Sequence, residues 1–211
     1  MYSSINKINA LLYSNGSPAS IEIQNGIIEK IVPLSEKPSG TLSYIGPGLF
    51  DNQVNGYGGI DFSEDELSVE QVKKAVQGMW TTGVTTFLPT LITNGHEELV
   101  RNFNILSQAR EDEFVQLTIP GYHLEGPYIS PLDGFRGAHP LEFVRKADWE
   151  EFTILQDAAN GKILQVSLSP DLETDLEFVK TCREHGIVVS LAHHNLSDDQ
   201  LDAAIKAGAQ T

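Results

Sequence analysis

The stretch Tyr122-His123-Leu124-Glu125-Gly126-Pro127 brings a carboxylate to the end of an apolar run, which a Gly-Pro pair then interrupts. Residues 115–122 are rich in β-branched and aromatic side chains, which favour a strand. Glycine followed by proline opposes continuation of that strand, so the pattern predicts a strand over residues 118–125 with Glu125 at its carboxyl end. In parallel α/β proteins this end of the sheet binds ligands, because the loops that leave it converge there. The competing interpretation of an isolated glutamate is a surface acid beside a turn.

From about residue 46 onward, the chain alternates between strand-like and helix-like segments. Besides residues 118–125, strand-like runs occupy residues 49–54, 83–90, 163–169 and 187–193. Amphipathic stretches, which predict helices, occupy residues 67–81, 95–111, 140–159, 173–185 and 198–207. Strands and helices in alternation predict an α/β fold with a parallel sheet and right-handed crossovers, either a barrel or a doubly wound sheet.

The two ends of the chain differ from this pattern. Short alternating segments over residues 1–45 are separated by Asn-Gly at 15–16 and 25–26, which predicts hairpins in a small β portion. The α/β domain is then predicted over residues 46–211. After the last helix, Gly208 is a helix stop and residues 209–211 resemble the start of another strand, so we expect the fold to continue beyond Thr211.

The composition excludes several classes of protein. The chain has 14 Lys and Arg residues against 29 Asp and Glu, a formal net charge of −15, so we expect neither a nucleic acid nor an anionic membrane as partner. It lacks a basic start, a signal-like apolar segment and any run of eighteen apolar residues, which predicts a cytoplasmic location. The single cysteine, Cys182, excludes an internal disulfide framework and is interpreted as structural.

Polar side chains stand at the ends of four of the five predicted strands. They are Gln53, Asn55, Thr90, Asn94, His123, Glu125, His193, His194 and Asn195. A carboxylate together with imidazoles is a suitable ligand set for zinc or a similar divalent ion. The sequence therefore predicts a metal site at this edge of the sheet.

The positions of the histidines in the sequence indicate different roles. His193 and His194 cannot both point inward if the strand continues, so one is a ligand candidate and the other a neighbour. His139 lies in a glycine-bearing loop after the Tyr-His-Leu-Glu run, where it either folds over a ligand or faces solvent. His96 and His185 fall in or beside surface helices, and we predict no functional role for them.

Four motifs in order resemble the N-acetylglucosamine-6-phosphate deacetylase family of the amidohydrolase superfamily. They are PGLFDNQVNG at 47–56, GVTTFLPT at 83–90, HLEGP at 123–127 and AHHN at 192–195. The resemblance runs from about residue 40 to the end and corresponds to roughly the first half of these enzymes. It implies a partial (β/α)8 TIM barrel with a small N-terminal β-sandwich portion. It also implies a cytoplasmic, commonly homodimeric hydrolase that deacetylates an amino-sugar phosphate.

The resemblance also implies roles for particular residues. Glu125 and His193 would be metal ligands, while Ala138 and His139 would contact the substrate. Residues 53–55, Gln-Val-Asn, replace the His-x-His pair of many amidohydrolases, so one divalent ion, most readily zinc, is expected. A further metal-binding histidine, another substrate-binding histidine and the catalytic aspartate of the family are expected beyond the end of this sequence.

Two departures keep other functions open. Ala192 and His194 stand where the family usually has glycine and a small polar residue, which would change the pocket without removing the ligand at 193. The alternatives are a deacetylase for another N-acetylated sugar phosphate, such as N-acetylgalactosamine 6-phosphate, a hydrolase of cyclic amides, or a non-catalytic truncated protein.

Overall fold

The structure is a computed structural model that describes residues 7–36, 40–170 and 173–211. Contacts divide the chain into two compact units, residues 1–48 and residues 49–211. None of the helices in the described ranges is long and apolar enough to cross a membrane.

The first unit contains a four-stranded sheet. Its strands are β1 (Lys7–Leu12), β2 (Pro18–Gln24), β3 (Ile27–Pro33) and β4 (Tyr44–Ile45), in the order β3-β2-β1-β4. Asn25 and Gly26 join β2 to β3 with φ angles of 52° and 78°, as a two-residue hairpin turn requires. Both predicted hairpins are confirmed, since Asn15 and Gly16 lie between the antiparallel strands β1 and β2. Only one sheet is present in the described part of this unit, so the predicted second layer of a sandwich stays a prediction.

The second unit is built on a parallel sheet with helices. Its strands are β5 (Leu49–Val54), β6 (Gly56–Tyr57), β7 (Ile60–Asp61), β8 (Val84–Ile92), β9 (Tyr122–Glu125), β10 (Ile163–Leu168) and β11 (Val188–Leu191). Its helices are α1 (Val69–Trp80), α2 (His96–Ala109), α3 (Glu113–Thr118), α4 (Trp149–Ala158), α5 (Glu173–Glu184) and α6 (Asp198–Ala207). The main sheet has the order β11-β10-β9-β8-β5 with every neighbouring pair parallel, which confirms the predicted parallel α/β fold as a partial TIM barrel.

The two faces of strand β9 differ: one faces the hydrophobic core and the other carries polar side chains. Tyr122 and Leu124 are fully buried in the main core, where the Tyr122 ring lies 5.8 Å from that of Phe103. Burying a leucine-sized side chain contributes about 1.5–3 kcal/mol, so these contacts fix which face of β9 is turned to the core. Since successive strand residues alternate, His123 and Glu125 project to the opposite face.

Residues 115–118, whose composition favours a strand, instead form part of helix α3, and the strand predicted over residues 118–125 begins only at Tyr122. The Asp112 side chain accepts hydrogen bonds from the backbone N–H groups of Phe114 and Val115 at 3.0 and 3.5 Å, which starts the helix. Val115 and Thr118, three positions apart, are the buried residues of this short helix. The capping aspartate outweighs the local preference for strand.

The helix predicted over residues 140–159 is also shorter than expected. Leu141–Phe143 form a single 3-10 turn, and α4 begins only at Trp149, where the Asp148 side chain accepts from the backbone N–H of Glu151 at 2.9 Å. Beyond α6, Gln210 donates to Val189 and Leu191 donates to Thr211 through their backbones at 2.9 and 2.7 Å. Residues 209–211 therefore run along β11, as the sequence predicted for the start of a further strand.

Candidate metal centre

Three side chains converge at the carboxyl end of the parallel sheet. Glu125 ends β9, His139 lies in the loop after β9, and His193 follows β11. Each offers one ligand atom, and the three atoms lie within 4.8 Å of one another. His193 Nε2 is 3.1 Å from Glu125 Oε1 and 3.1 Å from His139 Nε2. Glu125 and His139 are buried, and His193 is partly buried.

The backbone turns sharply to bring His193 into this group. Strand β11 ends at Leu191, and His193 has a φ of 52°, in the left-handed region that non-glycine residues rarely adopt. This conformation costs about 1 kcal/mol, and strained residues of this kind cluster at functional sites. His194 belongs to the following turn, where its Nδ1 accepts from the Leu196 N–H at 3.3 Å. The two histidines thus take different directions because the strand has already ended.

The hydrogen-bond partners of His193 show what its second nitrogen can do. His193 Nδ1 lies 3.1 Å from the Phe135 carbonyl oxygen, which can only accept, so Nδ1 carries the proton. In the neutral ring, Nε2 then directs a lone pair at the carboxylate of Glu125. Two acceptors 3.1 Å apart attract each other only through a shared proton or cation. One carboxylate oxygen and neutral imidazole nitrogens, with a carbonyl orienting the ring, fit the donor set of a zinc site.

His139 is held from behind by Thr93. Its Nδ1 lies 2.8 Å from Thr93 Oγ1, which leaves Nε2 facing His193. Burial lowers the pKa of His139, which favours the neutral ring. A neutral imidazole can bind a metal or hydrogen-bond a substrate. Arg136 donates to the main-chain carbonyl of His139 and anchors the loop.

Gly126 allows Thr93 to approach the end of β9. Gly126 has a φ of 76°, and a Cβ atom there would lie only 2.1 Å from Thr93 Oγ1. The N–H of Gly126 donates to the Ser167 carbonyl at 2.9 Å, which fixes the backbone immediately after Glu125. The glycine predicted to interrupt the strand is therefore also a packing requirement of the site.

The loop that carries His139 is tied down by Arg145. Its guanidinium binds the Glu151 carboxylate, with the shortest contact at 2.7 Å, and also donates to the carbonyls of Asn94 and Phe143 at 3.0 and 2.7 Å. Burial would raise the pKa of Glu151, but the hydrogen bond and charge of Arg145 outweigh it, so the pKa is lowered. This ion pair links the loops after β8 and β9 to α4.

We compared the sequence and the structure with those of known proteins. No protein-family model matches the sequence. The N-acetylglucosamine-6-phosphate deacetylase of Bacillus subtilis is 31% identical over 166 residues, covering 77% of this chain and 41% of the relative. The crystal structure of the corresponding Pasteurella multocida enzyme superposes with a TM-score of 0.80 at 29% identity, over 96% of this chain and 54% of that one.

The chain resembles the N-terminal half of the N-acetylglucosamine-6-phosphate deacetylases. It spans about half the length of the relatives it matches. An N-acetylgalactosamine-6-phosphate deacetylase of Escherichia coli O157:H7 is also similar, with 27% identity over 193 residues, 90% of this chain and 49% of the relative. These similarities confirm the resemblance and the partial TIM barrel that the motifs predicted.

Of the polar residues predicted at the strand ends, the structure brings only some to the deacetylase-like site. Asn55 Nδ2 lies 3.5 Å from Glu125 Oε2, at the edge of hydrogen-bonding range. Gln53 and Asn195 are exposed, and Asn94 binds the Ser63 carbonyl at 3.4 Å instead. Ala138 is exposed next to His139, while Thr90 and His123 are buried beneath Glu125.

Some residues lie outside the metal centre, and two groups that contact it were not predicted from the sequence. His96 contacts Glu151 at 3.0 Å and is not among the three converging side chains. Burial raises the pKa of the Cys182 thiol to about 12, so it stays protonated, as a structural cysteine does. Thr93 and the Phe135 carbonyl were not predicted. A main-chain carbonyl leaves no signal in the sequence. Thr93 was missed because the predicted strand ended at residue 90, whereas β8 continues to Ile92 and places Thr93 directly after it.

Proposed function

We propose that the protein containing this chain hydrolyses the N-acetyl group of N-acetylglucosamine 6-phosphate, giving glucosamine 6-phosphate and acetate. The observation that carries the proposal is the convergence of Glu125 and His193 at 3.1 Å, at the carboxyl end of a sheet that resembles these deacetylases. Neither feature would suffice alone, because a fold supports many activities.

We assign Glu125 and His193 as protein ligands of one divalent ion, most readily zinc. When bound, such an ion would polarise an amide carbonyl and lower the pKa of its water to about 7. Glu125 supplies an anionic oxygen that Asn55 approaches from one side. His193 supplies a neutral nitrogen, and the Phe135 carbonyl keeps its ring in the required tautomer.

We assign Ala138 and His139 to the substrate. The His139 ring is held by Thr93 at Nδ1 and directs Nε2 into the same space as the metal ligands, where it can hydrogen-bond the group undergoing hydrolysis. We assign no general acid or base for proton transfer to the leaving amine among these residues.

The test is acetate release from N-acetylglucosamine 6-phosphate by the protein at the length its gene encodes, with and without a chelator. We expect release that the chelator abolishes and added zinc restores. No release from folded, zinc-loaded protein would contradict the proposed activity. Release that resists complete removal of metal would contradict the metal centre.

A second candidate substrate is N-acetylgalactosamine 6-phosphate, which is favoured by the 27% identity to a deacetylase of that sugar. The two sugars differ only in the configuration of one hydroxyl group, so kcat/KM should be measured for both. A preference for the galactosamine isomer would replace the first assignment. The cytoplasmic location, the homodimer and the lack of nucleic-acid or membrane partners stay predictions.

A further inference from the structure

The side chains directly beneath Glu125 form a polar layer. TIM-barrel interiors are dominated by bulky apolar residues such as valine, isoleucine and leucine. Here the buried residues are Thr90 on β8, His123 on β9, and Gln165 and Ser167 on β10. In the sheet register, Thr90 and Gln165 lie opposite His123, and Ser167 lies opposite Glu125.

His123 connects this layer across the sheet. Its Nε2 lies 2.7 Å from Ser167 Oγ, and its Nδ1 lies 3.4 Å from Thr90 Oγ1. Thr90 Oγ1 also accepts from the backbone N–H of Val54 at 3.1 Å. Side-chain links therefore run continuously over four neighbouring strands, β5, β8, β9 and β10.

The same links reach the residues on both sides of Glu125. His123, two positions earlier, projects to the same face of β9 and binds the Ser167 hydroxyl. Gly126, the next residue along, donates its N–H to the Ser167 carbonyl at 2.9 Å. Ser167 thus holds the backbone after Glu125 and the side chain before it, which fixes the position of the carboxylate relative to β10.

We propose that His123 is a positioning residue, which holds Glu125 in place for metal binding through its hydrogen bonds to Ser167 and Thr90. The inference rests on the proposed metal centre and adds a role for a residue that touches neither metal nor substrate. Partners that orient metal ligands commonly affect metal affinity by about 10- to 100-fold.

The burial of His123 argues against a role in packing alone. The side chain is fully buried, and burying a polar ring is unfavourable unless its nitrogens are hydrogen-bonded. An apolar residue of similar size would fill the space without that cost. A neutral imidazole can use one nitrogen as donor and the other as acceptor, which suits the hydroxyl groups of Ser167 and Thr90 on its two sides.

The test compares zinc affinity with folding stability in matched variants of the protein at its full encoded length. His123→Leu removes the hydrogen bonds, and His123→Gln keeps an amide that can reach Ser167. Tyr122→Phe is the control, because it removes a buried hydroxyl 3.4 Å from Ser107 on the other face of the same strand. Zinc affinity is measured by competition with a chromophoric chelator, and stability by urea unfolding.

We expect His123→Leu to weaken zinc binding at least tenfold, His123→Gln by less than His123→Leu, and Tyr122→Phe not at all. If His123→Leu does not fold, Ser167→Ala removes the partner hydroxyl and should weaken zinc binding in the same way. Parental zinc affinity in a folded His123→Leu or Ser167→Ala variant would overturn the inference and leave the proposed function intact. Failure of the parent protein to bind zinc would overturn both.

Discussion

His193 Nε2 lies 3.1 Å from Glu125 Oε1, although Glu125 ends β9, His193 follows β11, and strand β10 lies between these two strands. Only the folded sheet brings these atoms together, because the two residues are 68 positions apart in the sequence. A metal that binds both side chains must therefore bind the folded protein in preference to the unfolded chain.

Zinc should accordingly stabilise the fold. At a free zinc concentration about 100 times its dissociation constant, we expect the free energy of unfolding to rise by about 2.7 kcal/mol. Urea unfolding with and without zinc measures the change. An equal rise in a His193→Gln variant would show that the ion binds elsewhere.

Changing His139 separates a substrate contact from a metal ligand. His139→Gln should leave zinc stoichiometry unchanged and lower kcat/KM by about 100-fold, because a hydrogen bond to the reacting group is lost. Metal content and steady-state kinetics of the same preparation measure the two effects. Loss of zinc from this variant would instead assign His139 as a third protein ligand, which its distance of 3.1 Å from His193 would allow.

Gly126→Ala tests the close approach of Thr93. The added Cβ would meet Thr93 Oγ1 at 2.1 Å, in a backbone conformation that already disfavours alanine. We expect a loss of about 2–4 kcal/mol in the free energy of unfolding, together with reduced activity, because Thr93 holds His139. Gly161→Ala is the matched control, since Gly161 has a similar φ of 69° but open space around it. Its cost should be only about 1 kcal/mol, and an equal cost at both positions would contradict the steric account.

The Arg145–Glu151 pair should make stability depend on pH. Arg145 holds the pKa of Glu151 below its usual value, so the ionised carboxylate stabilises the fold at neutral pH. This contribution to stability begins to fall as the pH drops below the usual pKa of a glutamate. It is lost once the pH has fallen below the lowered pKa of Glu151 in the folded state.

Glu151→Gln should therefore lower the free energy of unfolding by about 2 kcal/mol at pH 7, and the gap to the parent should close in acid. Urea unfolding between pH 7 and about pH 3 measures this difference. The exposed neighbour Glu150, changed to Gln, should alter stability at pH 7 by no more than about 0.5 kcal/mol. A gap that widens in acid would contradict the assignment of Glu151.

Much of the fold could be predicted because its signals are local. Hydrophobic periodicity and glycine gave the parallel strands and most helices within a few residues, and Asn-Gly gave both hairpins. The errors arose where one capping residue decides the outcome. Asp112 starts α3 in a segment of strand-favouring residues, and Asp148 starts α4 several residues later than its amphipathic pattern suggests.

The site was only partly predictable, for a different physical reason. Carboxylates and imidazoles at strand ends can be recognised by residue type, which made Glu125 and the His193–His194 pair candidates. The family resemblance was needed to choose His193 and to give the loop residue His139 a role. Their partners act through a main-chain carbonyl or through hydroxyls, and threonine and serine are too common to stand out. The left-handed backbone at His193 also follows from tertiary packing, since no glycine marks it in the sequence.

The central claim is that Glu125 and His193 bind one catalytic metal ion. The most direct test is to remove metal from the protein at its full encoded length, add zinc back in steps, and follow bound metal and acetate release together. We expect acetate release to rise to a plateau at one equivalent of zinc per chain. The Glu125→Gln variant should bind almost no zinc and release almost no acetate, while Glu150→Gln should match the parent in both. Full metal binding and activity in Glu125→Gln would contradict the account.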